Sequence, residues 1–196
     1  MELGVSAGDA VMARMKALSK KRYFPAACFS AAGLGMAFFF LKPVFFTSFF
    51  FLLASISILY KKVLPLSIGF ELASFSAILA GILFGGFSAF IVGFGSIVVS
   101  GMLMQKFATD GAKYTFHAVM TGVMGIAASA LPIGNIVFWG MGMIVLYDLI
   151  FTLWVLNYYP QGMGKLFIWV GTHIPISYWI FATFGEKTLA WVAGFL

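Results

Sequence analysis

Four side chains that can change their charge lie within otherwise apolar stretches of this sequence: Glu71, His117, Asp148 and His173. An acid or base at the centre of a lipid bilayer costs roughly 2.5–3.5 kcal/mol on insertion scales, so such residues usually face a bundle interior and mark a site. A carboxylate beside an imidazole stabilises the charged form of each, and a low dielectric opposes this. The four residues are therefore candidates for a ligand or proton site.

The depth of each candidate follows from the rise of about 1.5 Å per helical residue. Glu71 and Asp148 are expected about 12 Å from the cytoplasmic ends of their helices, and His173 about 10 Å. His117 is expected only about 4–5 Å deep, where snorkelling would explain it without a function. We therefore predict an inner polar layer of Glu71, Asp148 and His173 facing the bundle interior. The alternative is a structural hydrogen-bond cluster, each bond contributing about 0.6 kcal/mol.

The elements that carry these residues are predicted to be transmembrane helices, because 62% of the 196 residues are hydrophobic and only 9% are charged. Soluble domains are roughly 45–50% apolar and about 25% charged. The predicted spans are 24–41, 44–60, 63–84, 87–104 and 114–131, then a sixth ending near 156 and a seventh ending near 184. Gly85-Gly86 and Pro132 with Gly134 are the expected turns, and 105–113 and 157–165 the expected polar loops. The fold class is an all-α polytopic bundle of about seven spans.

The predicted organisation has three parts. Residues 1–22 form a basic amphipathic segment on the cytoplasmic surface, with a secretory signal as the alternative. Residues 23–187 form the transmembrane bundle, and 188–196 a short tail. The one cysteine, Cys28, is expected to be a packing residue.

The basic residues predict the orientation, because cytoplasmic loops carry an excess of Lys and Arg. With the N-terminus in the cytoplasm, only Lys42 and Lys187 fall outside. The other ten basic residues fall inside: Arg14, Lys16, Lys20, Lys21, Arg22, Lys61, Lys62, Lys106, Lys113 and Lys165. This division indicates a multi-pass protein of the cell membrane with an external C-terminus.

Small residues recur at four-residue intervals in two rows, which lets helix backbones approach closely. The rows are Ala27, Ala31, Gly35 and Gly85, Ala89, Gly93. They predict either internal helix packing or a face that docks another membrane subunit.

Several function classes are not expected. The sequence has no Gly-rich phosphate loop with its lysine, no His-Glu-x-x-His, no Gly-x-Ser-x-Gly and no Cys-x-x-Cys. We therefore expect no enzyme, catalytic residue, metal site or cofactor. The net charge of +6 is attributed to orientation rather than to nucleic-acid binding.

The stretch from Pro65 to Met104, which contains AGILFGGFSAFIVG, resembles the central hairpin of the substrate-capture subunits of energy-coupling factor importers. The row Ala27, Ala31, Gly35 resembles the face by which their first helix docks a membrane partner. This resemblance implies a subunit that captures a small solute within a larger complex. In its size and Gly-rich hairpins the chain also resembles the small membrane subunit of bacterial shape-determining complexes, which implies a scaffold.

The sequence thus favours a membrane subunit that captures or conducts a small solute, and the alternative is a non-catalytic scaffold or assembly subunit. The expected partners are membrane lipid, other membrane subunits and a small-molecule ligand. A transporter needs a polar cavity lined by the few polar candidates, whereas a scaffold would satisfy the same residues against each other.

Overall fold

The computed structural model describes residues 41–63, 69–132, 134–159 and 163–196, and every regular element in these ranges is helical. The six helices are α1 Lys42–Val63, α2 Ala73–Phe84, α3 Gly86–Leu103, α4 Lys106–Ala128, α5 Ile136–Tyr158 and α6 Met163–Ala193. The predicted all-helical class is confirmed. The predicted segment 1–22, the span 24–41 apart from its last residue, the packing residue Cys28 and the row Ala27, Ala31, Gly35 lie outside the described residues.

Within the described ranges, four helices are long and apolar enough to cross a membrane: α1 over Lys42–Leu59, α3, α5 and α6. Large apolar side chains are exposed on these helices, among them Ile56, Phe87, Phe138 and Phe167. Soluble monomers rarely expose such wide apolar surfaces, whereas lipid covers them readily. The described part of the chain is that of a membrane protein.

The turns between helices depend on backbone conformations that few residues adopt. Gly85, with φ 85° and ψ 173°, separates α2 from α3 at the predicted break. Gln105 is left-handed with φ 58°, and α4 begins at the next residue. The predicted polar loop 105–113 is therefore wrong, because the chain turns at one residue and continues as a helix that kinks at Asp110. The turn predicted at Pro132 and Gly134 is confirmed, and Asn135 caps α5 by accepting a hydrogen bond from the Phe138 amide.

The last helix is longer than predicted. α6 contains Pro175 and a π-helical turn at Phe181–Gly185, and then continues to Ala193. The predicted end near Phe184 is wrong because Gly185 does not stop the helix. Leu189 and Val192 in its final turns are buried, which anchors this part of the helix by packing.

The core lies around α4, which packs against α2, α3 and α5, while α6 packs against α5. Glycines bring the backbones together: a Cβ on Gly93 would lie 2.7 Å from the carbonyl oxygen of Thr121. Ala89 is buried against Gly125 in the same way. In the row Gly85, Ala89, Gly93 the latter two residues thus serve internal packing, and Gly85 serves the turn.

Candidate functional site

The helix predicted over 63–84 begins later than predicted, because Gly69–Leu72 is not helical and α2 begins only at Ala73. Two side chains hold this segment. The Gly69 amide donates to Thr172 Oγ1 at 2.7 Å, and the Leu72 amide donates to Ser57 Oγ at 2.8 Å. The segment is therefore bonded to α6 at one end and to α1 at the other. The hydrogen bonds that a continuous helix would supply are replaced by side-chain partners from distant parts of the chain.

Gly69 lies against the backbone of α6. A Cβ added at this position would lie 2.5 Å from His173 Cα and would also overlap His173 Cβ. Only glycine leaves room for this approach. The contact brings the Glu71 segment beside the helix turn that carries His173.

Glu71 is a fully buried carboxylate between two basic groups. Lys61 Nζ donates to Oε2 at 3.2 Å, and His117 Nε2 lies 3.1 Å from Oε1. The His117 contact is within ion-pair distance but is not aligned as a hydrogen bond. A carboxylate in a dry interior requires such partners, because its desolvation is costly. α1 and α4 therefore supply the basic partners of the segment before α2.

Asp148 and His173 form a second buried pair between α5 and α6. His173 Nδ1 lies 2.8 Å from Asp148 Oδ1 and 3.0 Å from Oδ2. The Trp169 ring stacks on the imidazole with centroids 4.7 Å apart. With Nδ1 donating to the carboxylate, His173 Nε2 is left buried and without a hydrogen bond among the described residues.

Tyr147 lies between the two pairs. Its ring centroid is 5.7 Å from that of His117 and 6.2 Å from that of His173. Its hydroxyl is buried and has no aligned hydrogen-bond partner in the described part of the chain. Buried polar groups usually have a partner, so these unsatisfied atoms need an explanation such as a water or a ligand.

A cavity of about 310 Å³ opens beside His117. Its lining includes four lysines, which come from the end of α1 and the beginnings of α4 and α6: Lys61, Lys106, Lys113 and Lys165. Aromatic walls come from Tyr114, Phe151 and Trp169, and among the described residues of the lining the acidic one is Asp110. Because Lys61 and His117 both line the cavity and contact Glu71, the carboxylate lies directly behind the cavity wall.

The lysines repel one another in this cavity. The charges of the other three lysines oppose the charge of Lys113, and Asp110 favours it. Of the four, only Lys61 forms an ion pair within the described residues. Among the described residues, the lining of this cavity therefore carries more positive than negative charge.

A second cavity of about 330 Å³ has a different character. Its lining is almost wholly apolar and includes Phe70, Phe75 and Trp179. Apolar surface of this kind suits a lipid chain better than a polar solute. The lysine-lined cavity is therefore the better candidate for a solute site.

The structure brings the predicted site residues together in two pairs rather than in one layer. The predicted burial of Glu71, Asp148 and His173 is confirmed, and Asp148 contacts His173 directly. The predicted shallow position of His117 is wrong. α4 begins at Lys106, so His117 lies about 16 Å from the start of this helix and beside Glu71. The binding role of all four residues stays a prediction.

Sequence reasoning missed other members of the site. From sequence alone the lysines indicate only an orientation, and no motif predicts a site role for Tyr147 or Trp169. The adjacency of Tyr147 to Asp148, and of Trp169 to His173 one helical turn away, was the available signal. Across the described ranges, no three His, Cys, Asp or Glu side chains cluster so as to hold a metal ion. Comparisons with protein-family models, curated proteins and solved structures gave no match.

Proposed function

We propose that this chain is a multi-pass protein of the cell membrane that captures or conducts a small solute as a non-enzymatic subunit of a larger complex. The observation that carries the proposal is the non-helical Gly69–Leu72 segment, which holds Glu71 behind a polar cavity. At membrane depth, irregular backbone is tolerated only where protein buries it or where it lines a cavity. In many secondary transporters, non-helical backbone beside a helix end contributes to the substrate site.

The proposed topology has about seven spans and a cytoplasmic N-terminus. α2 has 12 residues and covers about 18 Å, which is too short to cross about 30 Å of hydrocarbon. The four non-helical residues before α2, if extended, add up to about 13 Å. Gly69–Leu72 and α2 together are therefore long enough to form one span. α4, with 23 residues, is about 35 Å long.

The proposed orientation is supported by the cavity lysines. Lys61 ends α1, whereas Lys106 and Lys165 begin α4 and α6, and all three line one cavity. The helix ends that the positive-inside rule assigns to the cytoplasm therefore lie on the same side of the bundle. The resemblance of the α2–α3 hairpin to substrate-capture subunits of energy-coupling factor importers agrees with a solute site.

A scaffold is the second candidate, and one observation favours it: Glu71 and Asp148 both have basic partners within the protein. Ion pairs with a purely structural role would have the same geometry. The unsatisfied atoms Tyr147 Oη and His173 Nε2, together with the open cavity, favour a site that receives a ligand.

The test is a thermal-unfolding screen of the full chain in lipid nanodiscs against anionic, neutral and cationic small solutes. We expect one class to stabilise the protein, by about 2.7 kcal/mol at one hundred times the Kd and further with the logarithm of its concentration. The exposed Lys187→Gln variant, which is remote from the cavity lining, should keep this stabilisation. If no class stabilises the protein, the solute-capture proposal is wrong and the scaffold becomes the better account.

A further inference from the structure

The charge of the lysine-lined cavity indicates what kind of solute it takes. Four ammonium groups face one carboxylate, Asp110, around a volume of about 310 Å³. This volume is at the small end of ligand pockets. A cation would be repelled here, and a neutral solute would leave the lysine charges uncompensated. A small anion satisfies both the charge and the size.

The number and type of the basic groups favour phosphate over a single carboxylate. Lysine binds phosphate as a point charge and does not impose the planar geometry of arginine. Up to four lysines can balance the nearly two negative charges of a phosphate monoester. The walls formed by Tyr114, Phe151 and Trp169 offer apolar contact to the organic part of such a molecule.

Lys61 connects this cavity to the interior. Its ammonium lines the cavity and also donates to Glu71 Oε2 at 3.2 Å, and 20% of its side chain remains exposed. An anion in the cavity would attract the same ammonium. Glu71 and a bound anion must therefore share or compete for Lys61, and the two negative charges repel each other across the cavity wall.

We infer that the cavity binds a phosphate monoester group and that Glu71 competes with this group for Lys61. This inference rests on the proposed solute-capture function and gives it a substrate class. The phosphate belongs either to a free organic phosphate or to an anionic lipid headgroup, because anionic lipids also collect at clusters of lysines beside a membrane. In either case Glu71 weakens binding, which would allow the bound group to leave.

The binding test uses phenyl phosphate as the probe, with benzyl alcohol and benzylamine as the neutral and cationic counterparts. The full chain is held in phosphatidylcholine nanodiscs, and affinity is measured by calorimetry. We expect saturable binding of phenyl phosphate and at least about tenfold weaker binding of the other two. Lys113→Gln and Lys165→Gln should each weaken binding at least about threefold, whereas Lys187→Gln should change it less than about twofold. Equal effects of all three substitutions would overturn the inference.

The competition is tested by a double-mutant cycle on Lys61 and Glu71. Lys61→Gln should weaken phenyl phosphate binding more than Lys113→Gln, because it removes a cation and also leaves the Glu71 charge unbalanced. Adding Glu71→Gln to Lys61→Gln should make phenyl phosphate bind at least about threefold more tightly than it binds to Lys61→Gln alone. A double variant no tighter than Lys61→Gln would overturn the role of Glu71. Should the single variant fail to fold, the neutral double variant decides: it should bind at least as tightly as Lys113→Gln, and weaker binding would overturn the competition.

The remaining outcomes distinguish a lipid phosphate from a free phosphate ester. They also distinguish failure of the phosphate inference from failure of the solute-capture function. Nanodiscs containing phosphatidic acid should weaken phenyl phosphate binding if the lipid headgroup is the ligand and leave it unchanged if the ligand is a free phosphate ester. Both results support the phosphate site. Saturable binding of benzylamine or benzyl alcohol without phenyl phosphate would overturn this inference and keep the solute-capture function. Absence of binding by these probes and by every solute class in the screen would overturn both.

Discussion

Gly69 is the residue at which the Glu71 segment and α6 come into backbone contact. Gly69→Ala places a Cβ against His173 Cα and Cβ, where neither backbone can yield easily, so we expect a loss of about 1–3 kcal/mol in unfolding free energy. Thermal unfolding of the purified protein measures this. Gly171→Ala is the matched control on α6, because nothing lies within 4 Å of its added Cβ. Equal melting temperatures for the two variants would contradict the close approach.

The Asp148–His173 pair makes a separate contribution to stability. Asp148→Ala leaves the buried His173 Nδ1 without its acceptor, and an unsatisfied buried donor costs about 1–3 kcal/mol. Removing the exposed carboxylate of Glu186 by Glu186→Ala should cost no more than about 0.5 kcal/mol. Denaturation of both variants in the same nanodiscs gives the comparison. A loss for Asp148→Ala no larger than that for Glu186→Ala would show that the pair does not stabilise the fold.

Local chemistry explains which residues of the site the sequence predicts. Asp148 and His173 could be found because ionisable groups in long apolar runs have to face the interior. The depth of His117 could not be predicted, because it depends on α4 starting at Lys106. The residue before that start, Gln105, has a left-handed backbone conformation that few non-glycine residues adopt. The lysine cavity could not be found either, because it depends on how three helix ends come together.

Among the elements, the α2–α3 junction shows how one glycine sets a turn. Gly85 has φ 85° and ψ 173°, a region open essentially to glycine alone, and nothing lies within 4 Å of an added Cβ. Gly85→Ala should therefore cost about 1–3 kcal/mol through backbone strain rather than through a clash.

The control for Gly85→Ala is Gly142→Ala, inside α5, which also has open space around its added Cβ. Alanine at a helical position should stabilise the protein by about 0.5–1 kcal/mol. The two alanine substitutions thus have opposite expected signs in thermal unfolding. A stabilising Gly85→Ala would mean that the turn has a different conformation.

The elements differ in how far their bounds follow from sequence. The turns at Gly85 and Pro132 depend on local backbone conformation, so the glycine and the proline in the sequence predict them. The non-helical conformation of Gly69–Leu72 depends on tertiary contacts. Its partners are Thr172, which is 103 residues from Gly69 along the chain, and Ser57. No local pattern in an apolar run reveals such partners.

For the whole molecule, the topology is open to direct labelling. In a Cys28→Ala background, Lys187→Cys should react from outside the cell with a thiol reagent that cannot cross the membrane, whereas Asp110→Cys should not. The physical reason is the distribution of basic residues, which predicts a cytoplasmic α4 start and external later turns of α6. The reverse labelling pattern would contradict the proposed orientation.

The most direct measurement of the central claim compares basal stability with ligand-induced stability in His117→Gln. His117 lines the cavity and contacts Glu71, so a binding site and a structural cluster give different results at this residue. For a solute site, the solute selected by the screen should raise the melting temperature of the wild-type protein by about 5–10 °C. His117→Gln should lose most of this shift, while its own melting temperature changes little because the glutamine amide can still donate to Glu71. If the variant instead melts several degrees lower and keeps the full ligand-induced shift, the cluster is structural and the solute-site account is wrong.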